Sequence, residues 1–535
     1  MNNKSKAFDK VLLVSVCILF ITYVGIFTYL NMCKYQQHVD SDIAVDAILA
    51  REIWVEKDLT PSNWLSSTER LVIGVPTLSS IFYAISGSMV FSTGLACAIV
   101  GVLLLVAIGF TLRRSKMSYL GIATALLALC ALPINGLRNE DQMVPFVTLL
   151  WFLFADYYAL HSICLFLCIA FYMYLRSNLP DGFSKKWNIF LIWFVLVGFC
   201  GALALGGMRC LQVVALPLAV WEMILLFNES NRFAVALPKK RWIASLFIFC
   251  LLFVAAAAKL YPTSVEYPMY MQDGKGMINR LFLEVPAAVL ECLGIAGNCK
   301  LTSLDAIMQL GIVAVIGLVI YGLFFIYNKK NDVVVEQRTL ISALAASFLL
   351  TVFIEVVTNA ETAHNYFFVV WFVVIAVIAT LITNFQKIAP LFSRLIVVCV
   401  CGFALLNIFY TYKDCITTTD NLAEYEEVID YMQSEDIEYG YAEFWDASRI
   451  TIMTDGDITM GHSYQMEDLC MYWWTTSMKW YVPNLPTDMK TAYVVKSTDK
   501  DGFLAQFEDP TVMTLGFEND RFAVYISDYN YVGMQ

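Results

Sequence analysis

The chain has 535 residues, 59% of them hydrophobic and only 15% charged, and its mean hydropathy is +0.64. A soluble domain carries about 25% charged residues, so this composition excludes an ordinary soluble protein. The formal net charge of −11 comes largely from the last part of the chain and argues against nucleic acid as a partner. Long apolar runs between short charged loops predict a mainly α-helical, polytopic membrane protein.

The first apolar run, Val11 to Met32, follows three lysines, Lys4, Lys6 and Lys10. A run of about 22 residues is too long for the apolar part of a signal peptide, and no small-residue cleavage motif accompanies it. It is therefore expected to remain as a first span. By the positive-inside rule the N-terminus is expected in the cytoplasm, which places the residues after this span outside.

An imidazole and two carboxylates stand within five residues just past this span, at His38, Asp40 and Asp42. An ionisable cluster at a membrane boundary is a functional-site hypothesis by default. A structural interpretation is equally open, because Ser41 could cap a helix that has Asp42 at its first position. The sequence alone does not decide between a cap and a cap that also carries chemistry.

The next segment, Ile43 to Lys57, is predicted to be an amphipathic helix on the membrane surface, with its tryptophan at the interface. The predicted apolar face contains Ile43, Ala47, Ile48 and Trp54. The predicted acidic face contains Asp46, Glu52 and Glu56. Leu71 to Val90 is also apolar, but the basic cluster Arg113-Arg114 ends the run after it. One crossing must separate the first outer loop from that cluster, so residues 71–90 are expected to stay outside.

The remaining apolar runs alternate with basic cytoplasmic clusters, which predicts a transmembrane bundle of about eleven spans with the C-terminus outside. The predicted spans are residues 11–32, 91–112, 118–134, 157–175, 187–205, 211–227, 242–261, 306–327, 340–357, 367–383 and 391–412. The predicted domains are a transmembrane domain, 1–412, whose first outer loop is 33–90, and an extracytoplasmic domain, 413–535.

The C-terminal domain is predicted to be a small α/β domain. Leu422 to Ser434 has helical periodicity with acidic flanks. Ile437 to Phe444, Thr491 to Ser497 and Arg521 to Ile526 are rich in Tyr, Val and Ala, which is typical of strands. No internal repeat is evident, which weakens the case for a transporter built from inverted repeats.

Most of the 15 cysteines lie inside apolar runs, where they are expected to act as small hydrophobic residues. Cys292 and Cys299 are the one pair close enough in sequence to suggest a disulfide, which sequence alone cannot establish. No CxxC motif and no His/Cys metal-binding spacing is present.

Polar residues recur at the predicted outer ends of the spans. They are Arg138, Tyr157, His161, Arg209, Lys259 and His364. Basic residues facing an acidic loop suit a general base that works beside a bound phosphate. Interfacial anchoring alone would account for the tyrosines and Lys259. Arg209 is the strongest functional candidate, because it lies between Gly206-Gly207 and an apolar run without a basic neighbour.

Three groups of residues carry a family resemblance. They are Asp40-Ser41-Asp42 with Ile43 to Trp64 and Ser67-Thr68-Glu69-Arg70, then Tyr157-Tyr158 with His161, then Gly206-Gly207-Met208-Arg209 leading to Leu216-Pro217-Leu218. Taken in order, these groups resemble the GT-C glycosyltransferases of membranes. This superfamily includes protein O-mannosyltransferases, the aminoarabinose transferase that acts on lipid A, and the catalytic subunits of oligosaccharyltransferase.

The resemblance implies a polyprenyl-phosphate-linked sugar as donor and transfer to a hydroxyl on the outer face. It implies that Asp40 is the general base, that Asp42 is a helper or metal ligand, and that Arg209 contacts the donor phosphate. Many relatives carry an Arg-Tyr pair before a late span, whereas this chain has His364-Asn365-Tyr366. Tyr366 fits that pattern, and His364 could replace the arginine only when protonated.

The resemblance further implies a cell-envelope glycan or lipid as acceptor, membrane lipids as partners and a bacterial plasma membrane as location. No cofactor is certain. Asp40 and Asp42 could contribute two oxygen ligands to Mg²⁺ or Mn²⁺, too few for a complete site without water and donor phosphate. A polysaccharide polymerase or a transporter of lipid-linked sugars is the alternative. Apart from Glu222 and Glu355 the predicted spans are nearly free of charge, which favours chemistry at the outer surface.

Overall fold

The computed structural model describes residues 3–67, 72–134, 144–178, 187–229, 238–260, 270–295, 297, 299–328, 333–360, 362–418, 422–481, 486 and 488–532. The α-helices in these ranges are α1 (Asn3–Cys33), α2 (Tyr35–His38), α3 (Ser41–Glu56), α4 (Val75–Ser86), α5 (Met89–Arg114), α6 (Tyr119–Ala131), α7 (Phe146–Leu149), α8 (Ala159–Asn178), α9 (Trp187–Ala204), α10 (Leu216–Glu229), α11 (Pro238–Leu260), α12 (Gly274–Asn279), α13 (Val285–Cys292), α14 (Leu304–Tyr327), α15 (Val335–Val357), α16 (Val369–Ile388), α17 (Pro390–Asn407), α18 (Lys413–Thr417), α19 (Ala423–Ser434), α20 (Phe444–Met453) and α21 (Lys500–Ala505).

The strands are β1 (Trp64–Leu65), β2 (Tyr439–Glu443), β3 (Thr459–Ser463), β4 (Thr476–Ser477), β5 (Thr491–Lys496), β6 (Thr514–Glu518) and β7 (Phe522–Ser527). Short π-helical turns cover Leu211–Ala215, Arg280–Glu284 and Ile408–Tyr412, and 3₁₀ turns cover His364–Phe367, Met478–Trp480 and Pro510–Val512.

Nine helices in the described ranges are long and apolar enough to cross a membrane. They coincide with nine of the eleven predicted spans. The other two predicted spans form shorter apolar helices, Tyr119–Ala131 and Leu211–Phe227. The protein is therefore a polytopic helical membrane protein, as predicted from the apolar runs.

One compact unit, here called the transmembrane unit, comprises Met1–Phe27, Ile99–Pro262 and Tyr267–Cys415. Its most enclosed span is the one that contains α16, of which 83% is buried. Helices α6, α14, α15 and α17 pack around α16. A Cβ atom at Gly121 would lie 2.8 Å from the Ala379 carbonyl oxygen and from Thr383 Oγ1, so only glycine allows α6 and α16 to approach this closely.

The second compact unit, here called the α/β unit, comprises Thr28–Ala98, Thr263–Glu266 and Ile416–Gln535. Its five-stranded sheet has the order β3-β2-β5-β7-β6. Strand β2 is parallel to β3 and β5, whereas β7 is antiparallel to β5 and β6. The predicted helix at 422–434 and the three predicted strands are confirmed as α19, β2, β5 and β7, and β3 and β6 complete the sheet.

Within the α/β unit, the segment after the first span packs against the C-terminal residues. Strand β1 pairs with β4, which places Trp64 opposite Ser477. Lys479 Nζ, from the turn that follows β4, lies 2.5 Å from Glu56 Oε1 and 3.4 Å from Glu52 Oε2. The predicted first outer loop is therefore folded into a protein core with the C-terminal segment. The boundary predicted after residue 412 stays a prediction.

The acidic face predicted for the surface helix is not exposed to water, so this part of the prediction is wrong. Asp46 and Glu52 of α3 are only 6% and 4% exposed, whereas Trp54 is 42% exposed. The physical reason is that α4 and α20 pack against α3, so protein covers the side that was expected to face water.

The suggested disulfide between Cys292 and Cys299 is not formed. Both residues are free thiols in the structure, and Cys292 is buried.

Helix α4 lies inside the apolar stretch 71–90 and has 12 residues. At 1.5 Å per residue it is about 18 Å long, well short of a hydrocarbon core of about 30 Å. This length agrees with the expectation that the stretch does not cross the membrane.

We therefore expect a cysteine at position 86 (Ser86→Cys) to react with an impermeant maleimide from the outer side only. The matched control, Arg114→Cys, should react from the cytoplasmic side only, because the basic cluster at the end of α5 is expected there. Both are measured in oriented membranes against the labelling of the unmodified chain. Labelling of Ser86→Cys from the cytoplasmic side would contradict the topology.

Candidate active site

The first group of candidate residues lies at the N-terminus of α3 in the α/β unit. Asp40 is the N-cap, in extended backbone conformation, and its Oδ1 accepts a hydrogen bond of 3.0 Å from the Ile43 N–H. The prediction that Ser41 is the cap is wrong. Ser41 occupies the first helical position and its hydroxyl donates to the Phe444 carbonyl, so Asp42 occupies the second. The aspartate takes the cap because its side chain reaches the third N–H, which lacks a helical partner.

Helix α20 holds the backbone around Asp40 in place. Arg449 Nε donates to the Val39 carbonyl oxygen over 3.0 Å, and Nη2 donates to the same oxygen. The Arg449 guanidinium also lies 5.1 Å from the ring centre of Tyr425. Together with the hydrogen bond of the Ser41 hydroxyl, these contacts fix the two residues that flank Asp40.

The carboxyl groups near this N-terminus hold their protons more strongly than usual. Burial raises the pKa of Asp40, although the Ile43 N–H and the charge of Arg449 oppose the rise. Asp42 is open to solvent on one side, yet the surrounding protein and the charge of Asp40 raise its pKa to about 6. Burial and then the charge of Asp42 raise the pKa of Asp46 to about 8. Each additional negative charge here is therefore unfavourable unless a cation or proton balances it.

A separate group of candidate residues is an arginine–tyrosine cluster in the transmembrane unit, formed by Arg209, Tyr158 and Tyr366. The guanidinium carbon of Arg209 lies 4.8 Å from the ring centre of Tyr158 and 4.2 Å from that of Tyr366. Tyr158 in turn stacks on Phe368 at 4.9 Å. These rings orient the guanidinium plane, whose N–H donors point along its edges in the geometry that suits a phosphate.

Three different chain segments build this cluster. Arg209 lies between α9 and the π-helical turn 211–215, Tyr158 immediately precedes α8, and Tyr366 lies in the 3₁₀ turn before α16. The predicted pair Arg209 and Tyr366 is thus brought together. Of the two adjacent tyrosines, it is Tyr158 and not the predicted Tyr157 whose ring contacts the guanidinium.

Two charged residues near Arg209 were missed as site residues. Glu355, buried in the last turn of α15, interacts electrostatically with both Arg209 and Arg280. Arg280 Nη1 donates to the backbone carbonyl oxygens of Glu355 at 2.9 Å and Thr358 at 2.8 Å. A carboxylate in an otherwise apolar span was the available signal for Glu355. Arg280 lies in the long loop 262–305, where no sequence pattern distinguished it.

Asp156, next to Tyr157, is a further buried acid. Its side chain is 2% exposed, and within the described part of the chain neither carboxyl oxygen has a hydrogen-bond partner. Burial raises its pKa well above the usual range, so the neutral acid is favoured. Its backbone is in the left-handed region, with φ of 51°. A strained residue with an unsatisfied buried carboxyl group is typical of a functional position.

The other predicted residues have the following positions. Tyr157 is half-buried. His161, 7% exposed in the first turn of α8, lies 6.3 Å from the Tyr158 ring. His364 Nδ1 is 3.6 Å from Glu291 Oε1. Lys259 is exposed in the last turn of α11, and the described contacts do not join it to Arg209. Arg138 lies outside the described residues.

Asp40 and Asp42 are the predicted metal ligands, and their carboxylates lie at the N-cap and the second position of α3. Among the described residues, the group of three metal-ligating side chains with all ligand atoms within 4.8 Å of one another is Cys164, Cys200 and Cys210. The two aspartates therefore remain a partial ligand set for a hard divalent cation.

No protein-family model and no curated protein sequence matches the chain. Among solved structures, it is similar to ArnT from Cupriavidus metallidurans, both in the apo state and bound to undecaprenyl phosphate. The identity is 12% over 97% of this chain and 99% of that chain, with TM-scores of 0.40 and 0.39. It is also similar to the oligosaccharyltransferase of Archaeoglobus fulgidus, solved in the apo form and tethered to an acceptor peptide. For the apo form the identity is 11% over 86% of this chain, with a TM-score of 0.48. For the tethered form the identity is 13% over 85% of this chain, with a TM-score of 0.45. This chain spans 65% and 64% of the archaeal chain in these two structures.

The raised pKa of Asp46, about 8, has a consequence for stability. An aspartate in an unfolded chain has a pKa of about 3.9, so between these values the folded state binds the proton that the unfolded state has lost. The free energy of unfolding should therefore fall as the pH rises from about 4 to about 8.

We expect Asp46→Asn to make the thermal unfolding temperature of the purified protein less dependent on pH over this range. The control Asp436→Asn, at an exposed aspartate of the same α/β unit, should retain the wild-type slope. Equal slopes in both variants would contradict the assignment of the buried proton to Asp46.

Proposed function

We propose that the protein is an inverting membrane glycosyltransferase. It transfers a sugar from a polyprenyl-phosphate donor to a hydroxyl group of a cell-envelope glycan or lipid on the extracytoplasmic face. The observation that carries the proposal is the arginine–tyrosine cluster, which orients a cation at the ends of membrane helices. A lipid phosphate is the anion that a membrane presents at this depth.

Arg209 is proposed to bind the phosphate of the donor. When the bond between the anomeric carbon and the phosphate oxygen breaks, the departing lipid phosphate gains negative charge. A guanidinium that is already oriented stabilises this charge without reorganisation, and bidentate N–H···O pairing fits the phosphate geometry. Arg280 supports the position because its hydrogen bonds fix the end of α15, where Glu355 lies.

Asp40 is proposed to be the general base. It takes the proton of the acceptor hydroxyl as the oxygen attacks the anomeric carbon from the face opposite the phosphate, which inverts the configuration. Oδ1 accepts the Ile43 N–H, so the base role falls to Oδ2. Burial raises the pKa of Asp40 and makes its carboxylate a stronger base than one in water.

A divalent cation fits the same loop. Burial and then the charge of Asp40 raise the pKa of Asp42 to about 6, and a bound Mg²⁺ or Mn²⁺ would relieve the repulsion between the two carboxylates. Asp40 and Asp42 are the residues proposed to hold it. The cation would supply positive charge for the donor phosphate, and the remaining ligands would be water and phosphate oxygens.

The substitution Asp40→Asn removes the proposed general base and keeps the helix cap. Asparagine caps a helix about as well as aspartate, so folding and expression should be retained. Loss of the base should lower the transfer rate by about 10² to 10⁴-fold. The measurement is transfer from a panel of polyprenyl-phosphate sugars to membrane acceptors by the purified protein, with and without a chelator.

Asp42→Asn is the matched variant. If Asp42 holds a cation, the activity of Asp42→Asn should fall and added Mn²⁺ should partly restore it.

Full activity of Asp40→Asn would rule out the general-base role. Movement of the intact lipid-linked sugar across the membrane, with no glycosidic bond formed by the wild type, would identify the alternative transporter.

Arg209→Ala should weaken the binding of undecaprenyl phosphate by about 10 to 100-fold, because a hydrogen bond to a charged group contributes about 1.5 to 3 kcal/mol. The matched control is Arg113→Ala, since Arg113 also contacts a tyrosine ring, that of Tyr119 at 4.7 Å, but ends α5 at the predicted cytoplasmic side. Binding is measured by native mass spectrometry. Equal affinity of the two variants would show that Arg209 does not bind the phosphate.

A further inference from the structure

A cluster of buried thiols lies inside the transmembrane unit, although no metal-binding motif marks it in the sequence. It is here called the cysteine cluster and contains Cys164 and Cys168 of α8, Cys200 of α9, Cys210 before the π-helical turn, and Cys250 of α11. All five side chains are buried. The first two are four residues apart, which places them on one face of α8.

Cys200 is at the centre of the cluster. Its Sγ lies 3.3 Å from Cys164 Sγ and 3.7 Å from Cys168 Sγ. The sulfur atoms of Cys164, Cys200 and Cys210 all lie within 4.8 Å of one another. Cys250 also contacts the Cys200 thiol. Residues from four chain segments thus bring their sulfur atoms close to that of Cys200.

These distances fit metal ligands better than disulfide partners. A disulfide requires about 2.05 Å between sulfur atoms, so the thiols are not bonded. In a tetrahedral zinc site the Zn–S distance is about 2.3 Å, which places the sulfur ligands about 3.8 Å apart. The separations of 3.3 and 3.7 Å around Cys200 need shifts of only a few tenths of an ångström to reach that value.

We propose that one zinc ion binds the thiols of Cys164, Cys200 and Cys210 as a structural site, with Cys168, whose Sγ lies 3.7 Å from that of Cys200, as the fourth ligand after a shift of its side chain. Thiolates are soft ligands that select such ions, and an all-cysteine set with no further position is typical of structural rather than catalytic zinc. On binding, the four thiols release four protons, and the divalent cation balances two of the four thiolate charges, so the site carries the net charge of −2 of an all-cysteine zinc site. The proposal is independent of the proposed glycosyltransferase activity.

The site would link α8 and α9 to the segment that begins the next helix. Cys210 directly follows Arg209, so an ion bound to its sulfur would restrict the backbone that carries the arginine. This would be a positioning role, exerted through the backbone and without contact to substrate.

The test uses the full-length protein in detergent. Zinc content is measured by elemental mass spectrometry after equilibration with Zn²⁺ and removal of the excess, and Co²⁺ is used as a spectroscopic substitute. Wild type should retain one zinc per chain and, with Co²⁺, should show thiolate-to-cobalt charge-transfer absorption. Cys200→Ala should lose both signals. The matched control Cys130→Ala, a buried cysteine of α6 outside the cluster, should retain both.

A second measurement covers the case in which Cys200→Ala does not fold. In the wild type, zinc should protect Cys164, Cys200 and Cys210 from alkylation during mild unfolding, as detected by peptide mass spectrometry. Pretreatment with a strong chelator should remove this protection, while the reactivity of Cys130 should not change. Zinc bound at well below one per chain, equal zinc in Cys200→Ala and wild type, or alkylation that is insensitive to the chelator would overturn the proposal.

Discussion

The acidic N-terminal end of α3 depends on the contact between Arg449 and the Val39 carbonyl oxygen, which lies 410 positions earlier in the chain. Arg449 donates to Val39, and Ser41 donates to a carbonyl 403 positions away. Local sequence can start helix α3, because Asp40 supplies the cap, but it cannot fix where that helix end points. The position of the candidate base therefore depends on contacts of very large sequence separation, which form only when the C-terminal segment folds.

Arg449 also affects the protonation of Asp40, because its positive charge favours the carboxylate. Burial raises the pKa of Asp40, Asp42 and Asp46, whereas the capped N–H and the Arg449 charge favour the ionised form of Asp40 alone. Because Asp40 has this support and the fully buried Asp46 does not, the two carboxyl groups are suited to different states at neutral pH. The pKa of about 8 favours the protonated form of Asp46 at neutral pH, whereas the Ile43 N–H and the Arg449 charge oppose the rise that burial causes in the pKa of Asp40. Such divergence between neighbouring acids is the usual way in which a site assigns the roles of base and neutral group.

Features that depend on local periodicity could be predicted from the sequence. Nine of the predicted spans, the helix α19 and the strands β2, β5 and β7 follow from apolar runs and alternation within single segments. Features that depend on which segment covers which could not. The polar side of α3 is buried because α4 and α20 lie against it. The sequence of α3 alone cannot show which other helices cover it. The cysteine cluster was missed for the same reason, since residues 32 and 36 positions apart form its closest pairs.

Two arginines of the transmembrane unit show why Arg209 is a candidate for anion binding. Arg176 contacts Tyr172 and also donates to the buried carboxylate of Glu222 at 2.8 Å, so a fixed negative charge compensates its own. The two tyrosine rings that contact Arg209 are neutral, and they orient the guanidinium without cancelling its charge. Glu355 lies within electrostatic range of both Arg209 and Arg280, and Arg280 also pairs with Glu284, with 3.4 Å between Nε and Oε2. The rings hold the Arg209 guanidinium by its faces, an orientation that suits bidentate pairing of its edge with a phosphate, whereas the edge of Arg176 already pairs with Glu222.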